Sequence, residues 1–459
     1  MLADDWLERL RPILERLPEV KVPDRHVSFN EKLFKYTGMP LILYFILCEI
    51  PLYGLSPQAV DYLANLRAVL AGNFGSILTL GIGPIVTASI LLQLLIGGDL
   101  IKLDLTNPED RRLFQGLQKL LAIALCFFEG AMMVFSGAAP PAEPSILLEI
   151  LLILQLALGG ILVIFLDEVV SKWGIGSGVG LFIVAGVSSQ IIIGAFNPLP
   201  SPQQPGRPAG AVWAFLYSVM QGTPDWTLLA PVTGAVITFL IVLYVESIRV
   251  EIPIAFAGIR GARGRFPVRL LYTSNIPVIL ASALFMNVRL WALAFQRMGV
   301  PILGKLDPRG QPISGLVYYL SPPNSIVKTL SDPFQALGYM MAMVIASVFF
   351  AVLWVELTGM GPREIARHLH RAGLHIPGFR RDIRVLEKRL QKYIYPVTVM
   401  GGAFVGFLAA GADLMGALGG GTGVLLTVSI LYNMYEEIKQ ERLMETHPVV
   451  RKFLEKTLR

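Results

Sequence analysis

Apolar stretches of about twenty residues, the length that crosses a bilayer as a helix, recur along the whole chain. Ten can be read, at residues 37–55, 75–96, 114–136, 145–166, 177–196, 228–246, 270–292, 333–357, 394–412 and 419–436. Charge is confined mostly to their flanks, so the pattern predicts an all-α polytopic membrane protein. Five spans precede the proline-rich loop "NPLPSPQQPGRPAG" (197–210) and five follow it. An odd number per half puts the halves in opposite orientations, which is the topology of an inverted repeat. No residue-level match between the halves stands out, so the repeat is expected from topology alone.

The second span begins irregularly. In "SPQAVDYLANLRAVLAGNFG" (56–75), Ser56 and Pro57 form a helix start signal. Val60, Leu63, Leu66 and Leu70 follow at helical spacing, and Gly72, Asn73 and Gly75 then break the helix. A short helix over 56–71 is predicted, entering the membrane without crossing it. Backbone that leaves the helix at such depth needs protein or a watery cavity around it. The same pattern also suits a re-entrant surface helix with no further role. At the N-terminus, "WLERLRPILERL" places Trp6, Leu10, Ile13 and Leu17 on one helical face. That suits either an interfacial helix or one packed on neighbouring loops.

Composition narrows the class. The 459 residues are 54% hydrophobic and 16% charged, too little charge to cover a soluble protein of this size. Of the 39 Lys and Arg residues, 32 fall on one side of the membrane if the N-terminus is cytoplasmic. The positive-inside rule then places both termini in the cytoplasm. Four regions are predicted: a cytoplasmic amphipathic segment (1–36), a first half (37–205), a second half (206–437) with cytoplasmic loops 248–269 and 359–392, and a tail (438–459). The charged N-terminus does not read as a signal peptide.

Candidate chemistry is sparse. Cys48 and Cys126 both lie inside spans, suggesting neither a disulfide framework nor a metal site. The histidines, at 26, 368, 370, 375 and 447, all fall in predicted cytoplasmic segments. No acidic ladder for proton relay, no arginine series for voltage sensing, and no HExxH, GxSxG or nucleotide-binding loop appears. No catalytic residue or cofactor is expected. Glycine-rich "GIGSGVGLFIVAG" (174–186) and "GALGGGTGVLL" (416–426) read first as close helix packing.

Several strings point further. "LGIGPIVTASILLQLL", "DEVVSKWGIGSGVGLFIVAGV", "VEIPIA", "YTSNIPVILASALF" and "GALGGGTGVLLTVSILYNMYEE" resemble the SecY family, the channel-forming subunits of the Sec protein translocon, in their archaeal and eukaryotic form. The resemblance covers nearly the whole chain. It implies ten spans in two inverted halves, hinged between the fifth and sixth, with the second span split. The helix at 56–71 then corresponds to the family's plug, seated in an outer funnel and displaced by a passing polypeptide.

The resemblance also implies a mid-membrane ring of Ile82, Val86, Val179, Ile183, Ile279 and Leu426. Ile82/Val86 and Val179/Ile183 are i, i+4 pairs, suited to stack toward one side. A narrow aliphatic ring excludes ions by dewetting without bonding to any particular passing sequence. Thr87, Glu129 and Asn275, with Gln93 further along, match the family's polar cluster at a lateral gate. Ordinary interhelical hydrogen bonding accounts for such residues equally well. Arg260, Arg263, Arg265, Arg380 and Arg381 resemble the family's ribosome-docking loops, although basic loops near a membrane also arise from topology alone. Implied partners are a single-span SecE/gamma subunit, a small beta subunit, the ribosome, signal sequences with nascent chains, and membrane lipid. The expected function is a passive protein-conducting channel in the plasma membrane; the competing class is a secondary transporter of a small solute.

Overall fold

A computed structural model describes residues 11–446 apart from 13, 15, 26, 58, 60–69, 98–99, 102, 104–106, 202–203, 247, 257–262, 270–275, 308–310, 359, 372–373 and 376–382. Each predicted span corresponds to a helix. In the first half these are α1 (Met39–Glu49, preceded by a π-helical stretch Glu31–Gly38), α2 (Gly83–Gly97), α3 (Pro108–Phe135), α4 (Ile146–Trp173) and α5 (Gly178–Phe196). A short apolar helix, α6 (Ala211–Met220), leads into the second half. There follow α7 (Ala230–Glu246), α8 (Ile276–Arg297), α9 (Pro333–Leu357), the short polar α10 (Pro362–Arg371), α11 (Ile383–Leu414) and α12 (Gly421–Thr446). Among the described residues, seven helices are long and apolar enough to cross a membrane on their own.

The neighbour pattern reveals the repeat that the sequence left as topology. Within each half, the second helix packs on the third and the third on the fourth: α2–α3–α4 and α8–α9–α11. The fourth packs on the fifth and the first on both in each half. Between halves, second meets second (α2–α8), fifth meets fifth (α5–α12), and each second helix meets the other half's third (α2–α9, α8–α3). The interior is therefore lined chiefly by the second and fifth helices of both halves.

The second span differs from its expected start. Hydropathy predicts a helix from residue 75; it begins at Gly83, and residues 71–82 form successive turns. Gly81 takes a left-handed φ of +55°, and Pro84 supplies a helix-starting φ just beyond it. Residues 78–82 of this stretch are buried, and the polar groups of the turns find partners. Ile77 N–H donates to Ile50 O (2.9 Å) and Leu52 N–H to Gly75 O (2.7 Å). Asn73 Nδ2 donates to Cys48 O (3.0 Å). Gly159 on α4 lets the turn lie flat, since a Cβ there would overlap Ile77 O.

The predicted loops between α7 and α8 and between α10 and α11 are partly ordered into a sheet. Strand Arg249–Phe256 pairs antiparallel with Arg263–Arg269, and Leu374–His375 adds to the first through Ala255↔His375 and Phe256↔Leu374. Alternation of apolar and polar residues in "RVEIPIAF" and "RGRFPVR" favours extended backbone. Residues 18–21 cross α3 at Lys119 and the end of α4. Lys119 binds Glu168 and Pro18 O, Lys172 binds Glu19, and Val20 N–H donates to Glu168 Oε2 at 2.9 Å. Trp173 Nε1 donates to Lys21 O at 2.7 Å, and Leu14 lies against Gly116 of α3. The chain near Leu17 therefore packs on protein; Trp6, Leu10 and Ile13 lie outside the described residues.

Candidate functional site: an apolar constriction

The six aliphatic side chains named from the sequence all belong to, or pack against, one large apolar core. Ile82 at the start of α2, Val86 on α2, Ile183 on α5 and Leu426 on α12 are buried in one apolar cluster, joined by Phe182 and Val278. Val179 and Ile279 are half-buried and pack against it. The six stand on or at the start of the second and fifth helices of each half, which touch across the halves, while the core as a whole also draws on α1, α4, α7, α9 and α11.

The segment expected to form the plug reaches this cluster at its end. Leu70 is buried with Met286 and Leu290 of α8. Its carbonyl accepts from Ile82 N–H at 2.8 Å, tying the segment's last described turn to the first ring residue. Ala71 beside it holds a left-handed φ of +49°. At the other end, Ser56 N–H donates to Pro140 O (2.9 Å), and Pro57 is exposed. Val60, Leu63 and Leu66 lie outside the described residues.

Around Thr87 the described residues form a polar contact between helices. Thr87 on α2 is buried, and Asn287 Nδ2 on α8 donates to its hydroxyl at 3.3 Å and to Ala283 O at 2.9 Å. Glu129 on α3 is buried within hydrogen-bond reach of the same Thr87 hydroxyl, leaving Oε1 without a partner. Thus Thr87, Glu129 and Asn287 join α2, α3 and α8. Gln93 donates to Ser89 of its own helix (2.9 Å). Asn275 lies outside the described residues. Sequence reasoning missed Asn287, although an asparagine within "SALFMNVRLWAL" carries a signal: a polar side chain in an apolar span needs a partner. Of the basic docking candidates, Arg263 and Arg265 stand in the sheet opposite Ala255 and Pro253. Arg260, Arg380 and Arg381 lie outside the described residues.

Aliphatic groups in an apolar core offer no acid, base or nucleophile. They offer instead a barrier to water and ions that side chains can part and close again.

Known proteins resemble this chain over nearly its whole length. Residues 76–435 match the SecY family model, and residues 42–75 match the model described as the plug domain of Sec61p. The junction between the two falls in the turns that precede α2. The protein translocase subunit SecY of Methanothermobacter thermautotrophicus is 56% identical over 97% of this chain and 98% of its own. That of Methanocaldococcus jannaschii is 49% identical over 98% of this chain and all of its own, 100%. Among solved structures, one described as a protein conducting channel superposes with a TM-score of 0.84 at 49% identity, covering 96% of this chain and 98% of its own. Sec61 in the canine ribosome-channel complex from the endoplasmic reticulum gives 0.82 at 48%, with the same coverage of 96% and 98%. These relatives decide against the small-solute transporter, and the chain belongs to the SecY family.

Proposed function

We propose that this chain is the pore of a passive protein-conducting channel, passing unfolded polypeptides outward and releasing apolar helices sideways into lipid. Ile82, Val86, Val179, Ile183, Ile279 and Leu426 form its gasket. The observation that supports the reading is that these side chains, four buried and two half-buried, belong to or pack against one apolar core and come from the second and fifth helices of both halves. Aliphatic side chains bond to no particular sequence, so the same ring closes around any chain and dewets when empty.

Segment 56–71 is the plug, seated against α8 through Leu70. A solved relative at 49% identity and TM-score 0.83 is described as having a plug domain that stabilises the closed state and maintains a membrane seal. The seam of Thr87, Glu129 and Asn287, with Gln93 further along α2, is the lateral gate, and an entering signal helix competes with it. In this reading the face carrying both termini is cytoplasmic, the membrane is the plasma membrane, and the halves divide at 205/206. The basic sheet and Arg380/Arg381 dock the ribosome, while SecE/gamma and beta subunits brace the two halves. Driving energy comes from a partner, and the chain performs no catalysis itself.

The test replaces Ile82, Val86 and Ile183 with glycine in reconstituted vesicles. Loss of the dewetted neck raises ion leak by an order of magnitude or more, roughly the effect of wetting a hydrophobic gate. Conductance equal to the parent's refutes the reading.

A further inference from the structure

The fifth helix of each half begins in the same way. α5 opens Gly178-Val179-Gly180 and α12 opens Gly421-Thr422-Gly423, and in both the ring residue stands five positions after the first glycine, as Ile183 and Leu426. In both, an aspartate of the preceding spanning helix takes a backbone N–H of the first turn. Val179 N–H donates to Asp167 Oδ1 of α4 at 2.8 Å. Gly421 N–H donates to Asp413 Oδ1 of α11 at 2.6 Å. Each carboxylate is steadied in turn: Ser171 Oγ donates to Asp167 Oδ1 (3.2 Å), and the Tyr339 hydroxyl of α9 to Asp413 Oδ2 (2.7 Å).

Glycine is required at both starts. A Cβ on Gly178 would stand 2.5 Å from Asp167 Cα; one on Gly421 would stand 2.6 Å from Asp413 N and overlap Ala409 O. The first turn of any helix has N–H groups without intrahelical partners, at the positive end of its dipole. A carboxylate from the neighbouring helix answers both. It also fixes the height and rotation of the helix at its start, and the ring residue is only about 7.5 Å further along.

We propose that Asp167 and Asp413 are matched positioning residues of the constriction, related by the internal repeat. Each grips the fifth helix of its own half, from opposite membrane faces, so that Ile183 and Leu426 meet at one level. The proposal rests on the reading of these two side chains as part of the seal.

The test is a pair of double-mutant cycles read as ion leak through the full chain in lipid vesicles. Asp413→Leu raises leak about tenfold, the scale of a lost helix cap. Asp413→Asn keeps an oxygen for Gly421 N–H and stays within about threefold of the parent. In a Leu426→Gly background, Asp413→Leu adds less than about twofold, because the residue it places is gone. Asp167→Leu with Ile183→Gly repeats the comparison in the other half and decides independently should Asp413→Leu fail to insert. A full tenfold effect persisting in the Leu426→Gly background, an unchanged leak in Asp413→Leu, or an Asn variant as leaky as Leu overturns the positioning role. Leu426→Gly and Ile183→Gly both sealing like the parent overturns the constriction itself, and the proposal with it.

Discussion

Gly81 illustrates how a single residue supports irregular backbone deep in a membrane protein. Its φ of +55° lets the chain turn, and the absence of a side chain leaves room for the Leu70 carbonyl that accepts from Ile82 N–H. Alanine there would meet two obstacles, a left-handed backbone and an overlap with that oxygen. Gly81→Ala should cost about 1–3 kcal/mol and lower the thermal unfolding midpoint in detergent. A midpoint equal to the parent's would mean that the turn does not depend on glycine. Asn287 makes a second residue-level case. Its hydrogen bond to Thr87 spans α8 and α2, so Asn287→Leu removes a seam contact of roughly 0.6–1.7 kcal/mol and shifts the apolarity a signal segment needs for insertion. A graded signal series with the same threshold in parent and mutant would rule out gating. Thr87 was named from its motif, whereas its pairing with Asn287, 200 residues further on, was legible in neither segment.

Among elements, segment 18–21, just beyond the amphipathic stretch, is held against protein by Lys119 of α3 and Lys172 of α4. Lys172 holds Glu19 below the usual carboxylate range through a charged hydrogen bond. A carboxylate lowered in the folded state contributes stability above its ordinary value of about 4.3, and that contribution disappears as pH falls through the lowered value. Protection of Val20 N–H from exchange should therefore be constant near neutrality and fall below about pH 4. In Lys172→Met it should already be reduced at neutral pH. Equal protection in parent and Lys172→Met would show that Lys172 does not fasten the segment. The start of α2 is a second case: hydropathy marked a span from residue 75, but hydropathy measures apolarity and is blind to the turns that Gly81 and Pro84 impose.

For the whole molecule, one sheet unites two basic loops separated by more than a hundred residues in sequence. If this surface docks ribosomal RNA, the countercharge comes from phosphates. Reversing Arg380 and Arg381 to glutamate should weaken ribosome binding, most at low salt, and reduce the log–log salt slope by roughly 0.7–0.9 per lost phosphate contact. Equal affinities across a salt titration would remove these arginines from the interface. At the same scale, the helix neighbour pattern makes the inverted repeat visible, and the paired Asp–Gly grips give it a residue-level form.

Hydropathy and charge placement by themselves determined that this chain spans a membrane ten times and that its halves oppose. Those properties are additive along the chain: each residue contributes its own transfer free energy or charge, whatever its distant neighbours are. Only the tertiary structure decided that Ile82, Ile183 and Leu426 share one cluster, that Thr87 meets Asn287, and that an aspartate of each fourth spanning helix holds the fifth. Such contacts depend on helix rotation and height, set by close packing between segments far apart in sequence, and no local pattern encodes them.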